Sequence, residues 1–254
     1  MVNFKIIEKR FIEIRDEGFH INIKSDENDG AAGNTFENLY KIKENSKREA
    51  DFGEFEFKTK KYLKSKSPIS LFTQRPSSNF DDNYMRKNWG LPDKNYRNVL
   101  CFRTSLYANR WSLVYKTSQM KIEVDRNAKK VFIVRADLNF NIIDKNVYWD
   151  FDDIIKGTKK LMNMFLVGAN EKIIKGKKHF SYIDATVYTD YLGDLNFINL
   201  LDEGVIRYDN RLGVYGPSTD SAGKEHNHGG GFRIPKSQID RLYKNKITIP
   251  TGDD

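Results

Sequence analysis

Apolar residues recur along this chain in two periods, and the switches between them mark out its elements. Phe4, Ile7, Phe11 and Ile14 fall at intervals of three and four, which predicts an amphipathic helix over residues 2–17 with Gly18 as its stop. In the stretch 33–40, Asn34 sits where a helix cap belongs and Glu37 follows three places on, the spacing of a capping box. Residues 51–60 alternate instead. Phe55 and Phe57 take one parity and Glu54, Glu56 and Lys58 the other, so in a strand Glu56 and Lys58 project from one face. Beyond a basic run of Lys60, Lys61, Lys64 and Lys66, residues 68–73 read as a second strand returning beside the first. The segment 75–110 contains Pro76, Pro92 and many Asn and Asp, and reads as irregular structure that wraps or clamps a ligand, the alternative being a mere insertion with Trp89 buried as an anchor. Short β-rich runs at 111–117, 121–125 and 131–137 predict an antiparallel meander. Residues 148–152 lead into a short helix ending near Lys160, and 164–174 with 179–189 form a hairpin. Leu192, Leu195, Ile198 and Leu201 predict a helix over 190–204, and 207–215 with 226–234 read as two strands around a long tip.

Length and charge narrow the class. A chain of 254 residues can bury a real core, and one composite domain over 1–254 is expected. The formal charge of +8 and the pI of 9.3 favour a polyanionic partner, nucleic acid ahead of a membrane. A mean hydropathy of −0.67, with no apolar run near twenty residues and no basic-plus-apolar leader, argues against membrane insertion and predicts a cytoplasmic protein. The lone Cys101 excludes an internal disulfide and reads as a small packed residue.

Chemistry concentrates around 51–58. Asp51 lies just before the alternating strand, close enough to turn back, and Asp51 with Glu56 can hold a hard divalent cation by oxygen while leaving most of its shell to water and phosphate. Magnesium (Mg2+) in that position polarises a scissile phosphate and lowers the pKa of a bound water, with Lys58 steering the water or offsetting charge on phosphorus. The same letters also fit the solvated face of an ordinary sheet in a chain that is 31% charged. Glu37 has two readings as well, the partner of a helix cap or an acid near the metal. The basic run that starts with Lys60 and Lys61 suits a phosphate backbone. Near the C-terminus, His226 and His228 supply only half a tetrahedral zinc shell. They fit better as donors beside Arg211 and Arg233, which can each fork onto the O6 and N7 edge of guanine, and Asp209, which can accept from a cytosine amino group. The alternative is a surface hairpin of ordinary polar residues.

Taken together, the ordered blocks Gly33-Asn34-Thr35-Phe36-Glu37, Ala50-Asp51-Phe52, Glu56-Phe57-Lys58-Thr59, Ser70-Leu71-Phe72-Thr73, Val147-Tyr148-Trp149-Asp150-Phe151-Asp152, Arg211-Leu212-Gly213-Val214-Tyr215, His226-Asn227-His228-Gly229 and Phe232-Arg233-Ile234 resemble the MvaI/BcnI-type restriction endonucleases. These are relatives of the repair nicking enzyme MutH within the PD-(D/E)XK nuclease superfamily. The resemblance spans most of the chain, and the segment 75–110 matches least. It implies an α/β (α+β) fold of the MutH-like kind, with a mixed central sheet and two lobes around a DNA cleft. The catalytic lobe would take roughly 1–150 with contributions from 150–190, and the recognition lobe 190–254. Asp51, Glu56 and Phe57 become the implied metal ligands, Lys58 the catalytic lysine and Glu37 an additional acid. Asp209, Arg211, His226, His228 and Arg233 become major-groove readers. The implied activity is a magnesium-dependent type II restriction endonuclease cutting double-stranded DNA at a short G/C-rich site of the CCNGG kind, paired in function with a cognate methyltransferase. A MutH-like nicking enzyme and a non-catalytic DNA-binding protein are the alternatives. The pattern Asp51, Glu56, Lys58 occurs once, and no repeat or heptad is left to drive a dimer, so a monomer that nicks one strand at a time is expected.

Overall fold

The N-terminal helical period folds as α1 (Phe4–Asp16), which buries Ile7, Phe11 and Ile14. After it come β1 (His20–Ile21), α2 (Ala31–Leu39), β2 (Phe55–Lys61), β3 (Ile69–Thr73), α3 (Asp82–Trp89), β4 (Leu91–Pro92) and β5 (Leu100–Leu106). Next follow β6 (Ser112–Val114), β7 (Ser118–Asp125), β8 (Lys130–Ala136), β9 (Ile142–Asp144), β10 (Tyr148–Asp150) and α4 (Phe151–Thr158), then a 3-10 turn at Lys159–Leu161. The remainder holds β11 (Asn163–Ile174), β12 (Lys177–Tyr191), α5 (Asp194–Asp202), β13 (Arg207–Val214), β14 (Glu225–Asn227) and β15 (Gly231–Ile234). A 3-10 segment at Lys236–Leu242 leads into β16 (Tyr243–Ile249). This computed structural model describes residues 4–26, 28, 30–41, 50–62, 66–217 and 219–252. None of its described helices is long and apolar enough to cross a membrane.

The elements gather into two compact units, each drawn from separated stretches. Met1–Ile69, Lys159–Leu192 and Lys236–Asp254 build the first; Ser70–Thr158 and Gly193–Pro235 build the second. In the first, the strand order is β1-β12-β11-β2, with β16 also on β12, and β2 runs parallel to β11 while the other pairs are antiparallel. Aromatic rings cement this sheet to α1 and α2. Phe36 lies 5.7 Å from Phe57 and 4.7 Å from Tyr182 between ring centroids, and Phe11 lies 5.7 Å from Phe165. Each fully buried ring contributes roughly 1.5–3 kcal/mol. Because Phe55 and Phe57 are committed to that core, the period of two turns Glu56 and Lys58 to the opposite face of β2.

The second unit contains two sheets. One is the expected meander, in the order β10-β8-β7-β6 with β9 on β8; the other runs β3-β15-β13-β5-β4 with β14 on β13. Trp149 anchors its core, 4.4 Å from Tyr208 and 5.8 Å from Phe232, and donates its indole N–H to the Gln74 carbonyl at 3.2 Å. Gly231 lets β15 approach β3, since a Cβ there would lie 2.6 Å from the Phe72 carbonyl oxygen.

The structure corrects several expectations. The strand at 69–73 pairs with β15 and not with β2. The segment 75–110 is not an irregular wrap. Asp81 caps α3, accepting from the backbone N–H groups of Asn83 at 2.9 Å and Tyr84 at 3.2 Å, and β5 sits inside the second sheet beside β13. That pairing packs 70–158 with the strands of 193–235. Helix α2 starts at Ala31 with Gly30 as its cap and no side-chain cap bond, so Asn34 and Glu37 lie inside it and no capping box forms. Finally, β12 continues to Tyr191, α5 begins only at Asp194, and its buried face is Phe197, Ile198, Leu200 and Leu201, leaving Leu192 and Leu195 exposed.

Candidate functional site

The first unit brings Asp51 back against β2 through a tight turn. Phe52 and Phe55 exchange two backbone hydrogen bonds of 3.0 Å, with Gly53 in the left-handed region at φ +62°. The chain thus doubles back, and Asp51 Oδ2 accepts the Phe57 N–H at 2.9 Å. In an extended strand the N–H and C=O of one residue point to the same side, so the Phe57 carbonyl faces the outer edge of β2, where Asp51 lies. The Phe57 ring is buried in the aromatic core, which leaves that carbonyl as the group it can offer a metal.

Glu56 is only 1% exposed. Its Oε1 accepts from Lys58 Nζ at 2.5 Å and lies 2.7 Å from Lys160 Nζ, which reaches it from the 3-10 turn preceding β11. Its Oε2 is buried with no hydrogen-bond partner among the described residues. An orphaned buried acceptor of this kind costs about 1–3 kcal/mol. The Asp51 carboxylate, Glu56 Oε2 and the Phe57 carbonyl are all hard oxygen donors, the set that suits magnesium with water and phosphate completing its shell. Among the described residues no group of three or more His, Cys, Asp or Glu could hold a metal ion. Glu37 lies half-buried in the last turn of α2, where its charge helps burial raise the pKa of Tyr182.

Two lysines of the basic run are tied into the fold. Lys60 is 8% exposed and donates to the Ser67 carbonyl; burial, and then the charge of Lys236, push its pKa down. Lys61 pairs with Glu171 at 2.7 Å. Both ammonium groups are therefore committed within the fold, and parity explains it, since Lys60 shares the face of Glu56 while Lys61 turns to the other. Lys64 lies outside the described residues.

In the second unit, β13 presents Arg207, Asp209, Arg211 and Gly213 on one face and buries Tyr208 and Leu212 on the other. Across the strands, Arg207 faces Arg233 and Arg211 faces Arg103, while Gly213 faces His226. Asp209 is nearly buried at 6% exposure and serves two arginines. Arg207 donates through Nη2 to Oδ2 at 3.1 Å, and its Nε lies 2.8 Å from Oδ1, off the hydrogen-bond direction; Arg233 Nε lies 3.4 Å from Oδ2. The expected cytosine acceptor is thus an internal counter-ion in this structure. Arg211 makes no ion pair among the described residues. The His226 ring stacks on Tyr215 at 4.0 Å and meets His228 edge-on at 3.9 Å. Burial first, then Arg211 and Arg86, push the His226 pKa below its ordinary 6.5.

Sequence reasoning passed over four residues that shape these regions: Lys160, Arg86, Arg103 and Arg207. Arg86, 4% exposed on α3, donates to the carbonyls of Leu100 at 2.5 Å, Gly213 at 3.0 Å and His226 at 3.2 Å, pinning β5, β13 and β14 at once. Arg207 carried a legible signal, being in step with Asp209 and Arg211 at a period of two.

A model of the MvaI/BcnI restriction endonuclease family matches residues 8–243. This chain belongs to the MvaI/BcnI restriction endonuclease family. Family membership makes it a site-specific nuclease by class. The structure of restriction endonuclease MvaI in complex with its cognate DNA substrate matches with a TM-score of 0.87 at 26% identity, over 98% of this chain and 99% of that one. MvaI in the absence of DNA matches with a TM-score of 0.58 at 24% identity, over 98% of each chain. No curated protein matches the sequence. The mixed α+β architecture described above is therefore the fold of a restriction endonuclease.

Proposed function

We propose that this MvaI/BcnI family member is a magnesium-dependent type II restriction endonuclease that hydrolyses phosphodiesters of double-stranded DNA at a short, G/C-rich, pseudopalindromic site of the CCNGG kind. The observation that carries this reading is Glu56, a carboxylate with one oxygen held by Lys58 and Lys160 and the other buried without a partner among the described residues. Asp51, Glu56 Oε2 and the Phe57 carbonyl would hold the metal. Magnesium there supplies a Lewis acid for the phosphate and a lowered pKa for the attacking water. The chain's own residues supply orientation. The Phe57 N–H fixes the Asp51 carboxylate, and Lys58, two strand positions from Glu56 and on its face, orients the attacking water and offsets charge on phosphorus. Glu37 is the additional acid, with a role in metal or water handling.

Recognition belongs to the arginine-rich face of β13, β15 and β5, with Arg211 and Arg233 directed to guanine and His226 and His228 as donors. The enzyme acts in the cytoplasm as a monomer that nicks one strand at a time, alongside a methyltransferase that protects the same site. Supercoiled plasmid carrying one site, mapped by sequencing the cut ends of digested phage DNA, tests this reading. In magnesium, open-circular DNA should accumulate before linear DNA, at a rate linear in enzyme, and light scattering should give a mass near the chain's 29.7 kDa. EDTA, Asp51→Ala, Glu56→Ala or Lys58→Ala should stop cleavage, and Glu37→Gln should slow it greatly with an unchanged melting curve. Cleavage that persists in EDTA, or a rate rising with the square of enzyme concentration, would overturn the metal or the monomer assignment respectively.

A further inference from the structure

A second guanidinium lies beside Arg211. Arg103 of β5 is its direct cross-strand partner, and like charges in that position destabilise a strand pair. Neither guanidinium has an ion pair or side-chain hydrogen bond among the described residues. Asp93 feels Arg103 only as the smallest of several influences that hold its carboxyl low, the Asn95 backbone N–H being the largest.

Two further observations show that Arg103 is held in place. At Gly213, one strand step beyond Arg211 on the same face, a Cβ would lie 2.6 Å from Arg103 Nη2, 3.2 Å from its Nε and 3.3 Å from its Cζ. The guanidinium therefore rests on the β13 backbone in space that only glycine leaves. Gly213 is not in the left-handed region, so its role is room and not backbone freedom. The β5 backbone is also pinned at this point. The Arg103 N–H donates to the Tyr115 hydroxyl at 2.9 Å, and that hydroxyl donates to the Cys101 carbonyl at 3.2 Å. Tyr115 and Lys116, in the turn between β6 and β7, both adopt left-handed φ values of +52° and +61°, a conformation that costs energy for residues with side chains.

We infer that Arg103 is a base-reading residue whose guanidinium, cradled over Gly213, engages the O6 and N7 acceptors of a guanine adjacent to the one that Arg211 reads. This rests on the proposed DNA-reading role of that sheet face. The spacing suits it. Directly opposed residues of an antiparallel pair lie about 4.5–5.5 Å apart at Cα, and successive bases of one strand are stacked about 3.4 Å apart, so two forks side by side can serve neighbouring bases.

The test measures binding in calcium, at two salt concentrations, to the mapped cleavage site and to each single-base-pair substitution of it, for wild type, Arg103→Ala, Arg103→Lys, Gly213→Ala and Arg211→Ala. Arg103→Ala should lose roughly 5- to 150-fold of cognate preference at one base pair, with affinity for random DNA unchanged. Arg103→Lys should not restore it, because an ammonium cannot form the fork. Gly213→Ala should lose preference at the same base pair while its melting curve matches wild type. The assignment is overturned if Arg103→Ala weakens all duplexes alike and lowers the salt slope by about one, the signature of a phosphate contact. It is equally overturned if Arg103→Ala leaves every ratio unchanged while Arg211→Ala does not. Should Arg211→Ala also leave every ratio unchanged, the reading of the whole face fails with it.

Discussion

Glu56 and Arg211 both project from strand faces, yet their surroundings are opposites. Glu56 is sequestered and over-compensated, with two ammonium groups on one oxygen. Arg211 stands among Arg103, Arg207 and Arg233, and the carboxylate of that face, Asp209, is taken by Arg207 and Arg233. Compensation fixes a group in one geometry, which is what a reacting centre needs before substrate arrives. Leaving cations uncompensated costs stability in the free protein and is recovered only when a polyanion lies against them. One chain thus treats charge in two ways, and under the proposed function the difference separates chemistry from recognition.

Breaking the compensated side should have the largest effect. Lys58→Ala should lower the single-turnover cleavage rate by at least about 100-fold, the low end for a positioned acid–base or electrostatic group, while sequence-specific binding in calcium survives. A rate within tenfold of wild type would remove Lys58 from the mechanism. On the other side, Asp209→Asn leaves Arg207 and Arg233 facing each other without their counter-ion. A loss of about 3 kcal/mol in urea denaturation is expected, since removing one partner of a nearly buried pair strands the other charges. A base reader exposed to solvent would show no such loss.

Lys160→Met removes one ammonium from Glu56 and keeps the aliphatic stem. Unfolding free energy should fall by less than the roughly 3–5 kcal/mol of a fully stranded buried charge, because Lys58 remains on the carboxylate. An unchanged urea midpoint would mean that Lys58 alone compensates Glu56. The smallest effect concerns His226. Its folded pKa is lowered chiefly by burial, so its contribution is fully present above the unfolded value of 6.5 and is lost as pH falls below it, where the unfolded chain takes up the proton first. Between pH 7 and pH 5, His226→Gln should therefore lose less stability than wild type in paired urea titrations, and equal losses would contradict the burial of that ring.

The carboxylate strand was legible because its signal is local. Alternation of Phe55, Glu56, Phe57 and Lys58 fixes which side chains share a face, whatever the strand packs against. The strand at 207–214 was legible for the same reason, as was the meander. What escaped depended on partners distant in sequence. Lys160 reaches Glu56 only because β11 pairs with β2, and nothing near Lys160 announces it. Arg103 and Arg86 lay in a stretch whose prolines and asparagines suggested a loop, yet Asp81 with Met85, Arg86 and Trp89 already had the cap and spacing of a short helix. The capping box at Asn34 and Glu37 misled because two alanines and a glycine extend α2 backwards without any side-chain cap. The burial of Lys60 and the pairing of Lys61 with Glu171 escaped because charge in a run says nothing of burial, and parity sends the two to opposite faces.

The division of labour itself is tested most directly by measuring two quantities on the same preparations of Lys58→Ala and Arg211→Ala: the single-turnover cleavage rate at saturating DNA in magnesium, and the ratio of cognate to random-duplex affinity in calcium. Lys58→Ala should lose the rate and keep the ratio. Arg211→Ala should keep most of its rate once DNA is saturating and lose roughly 5- to 150-fold of the ratio. Parallel loss of both quantities in both variants would contradict that division, because the compensated acid and the uncompensated arginines would then belong to one indivisible function.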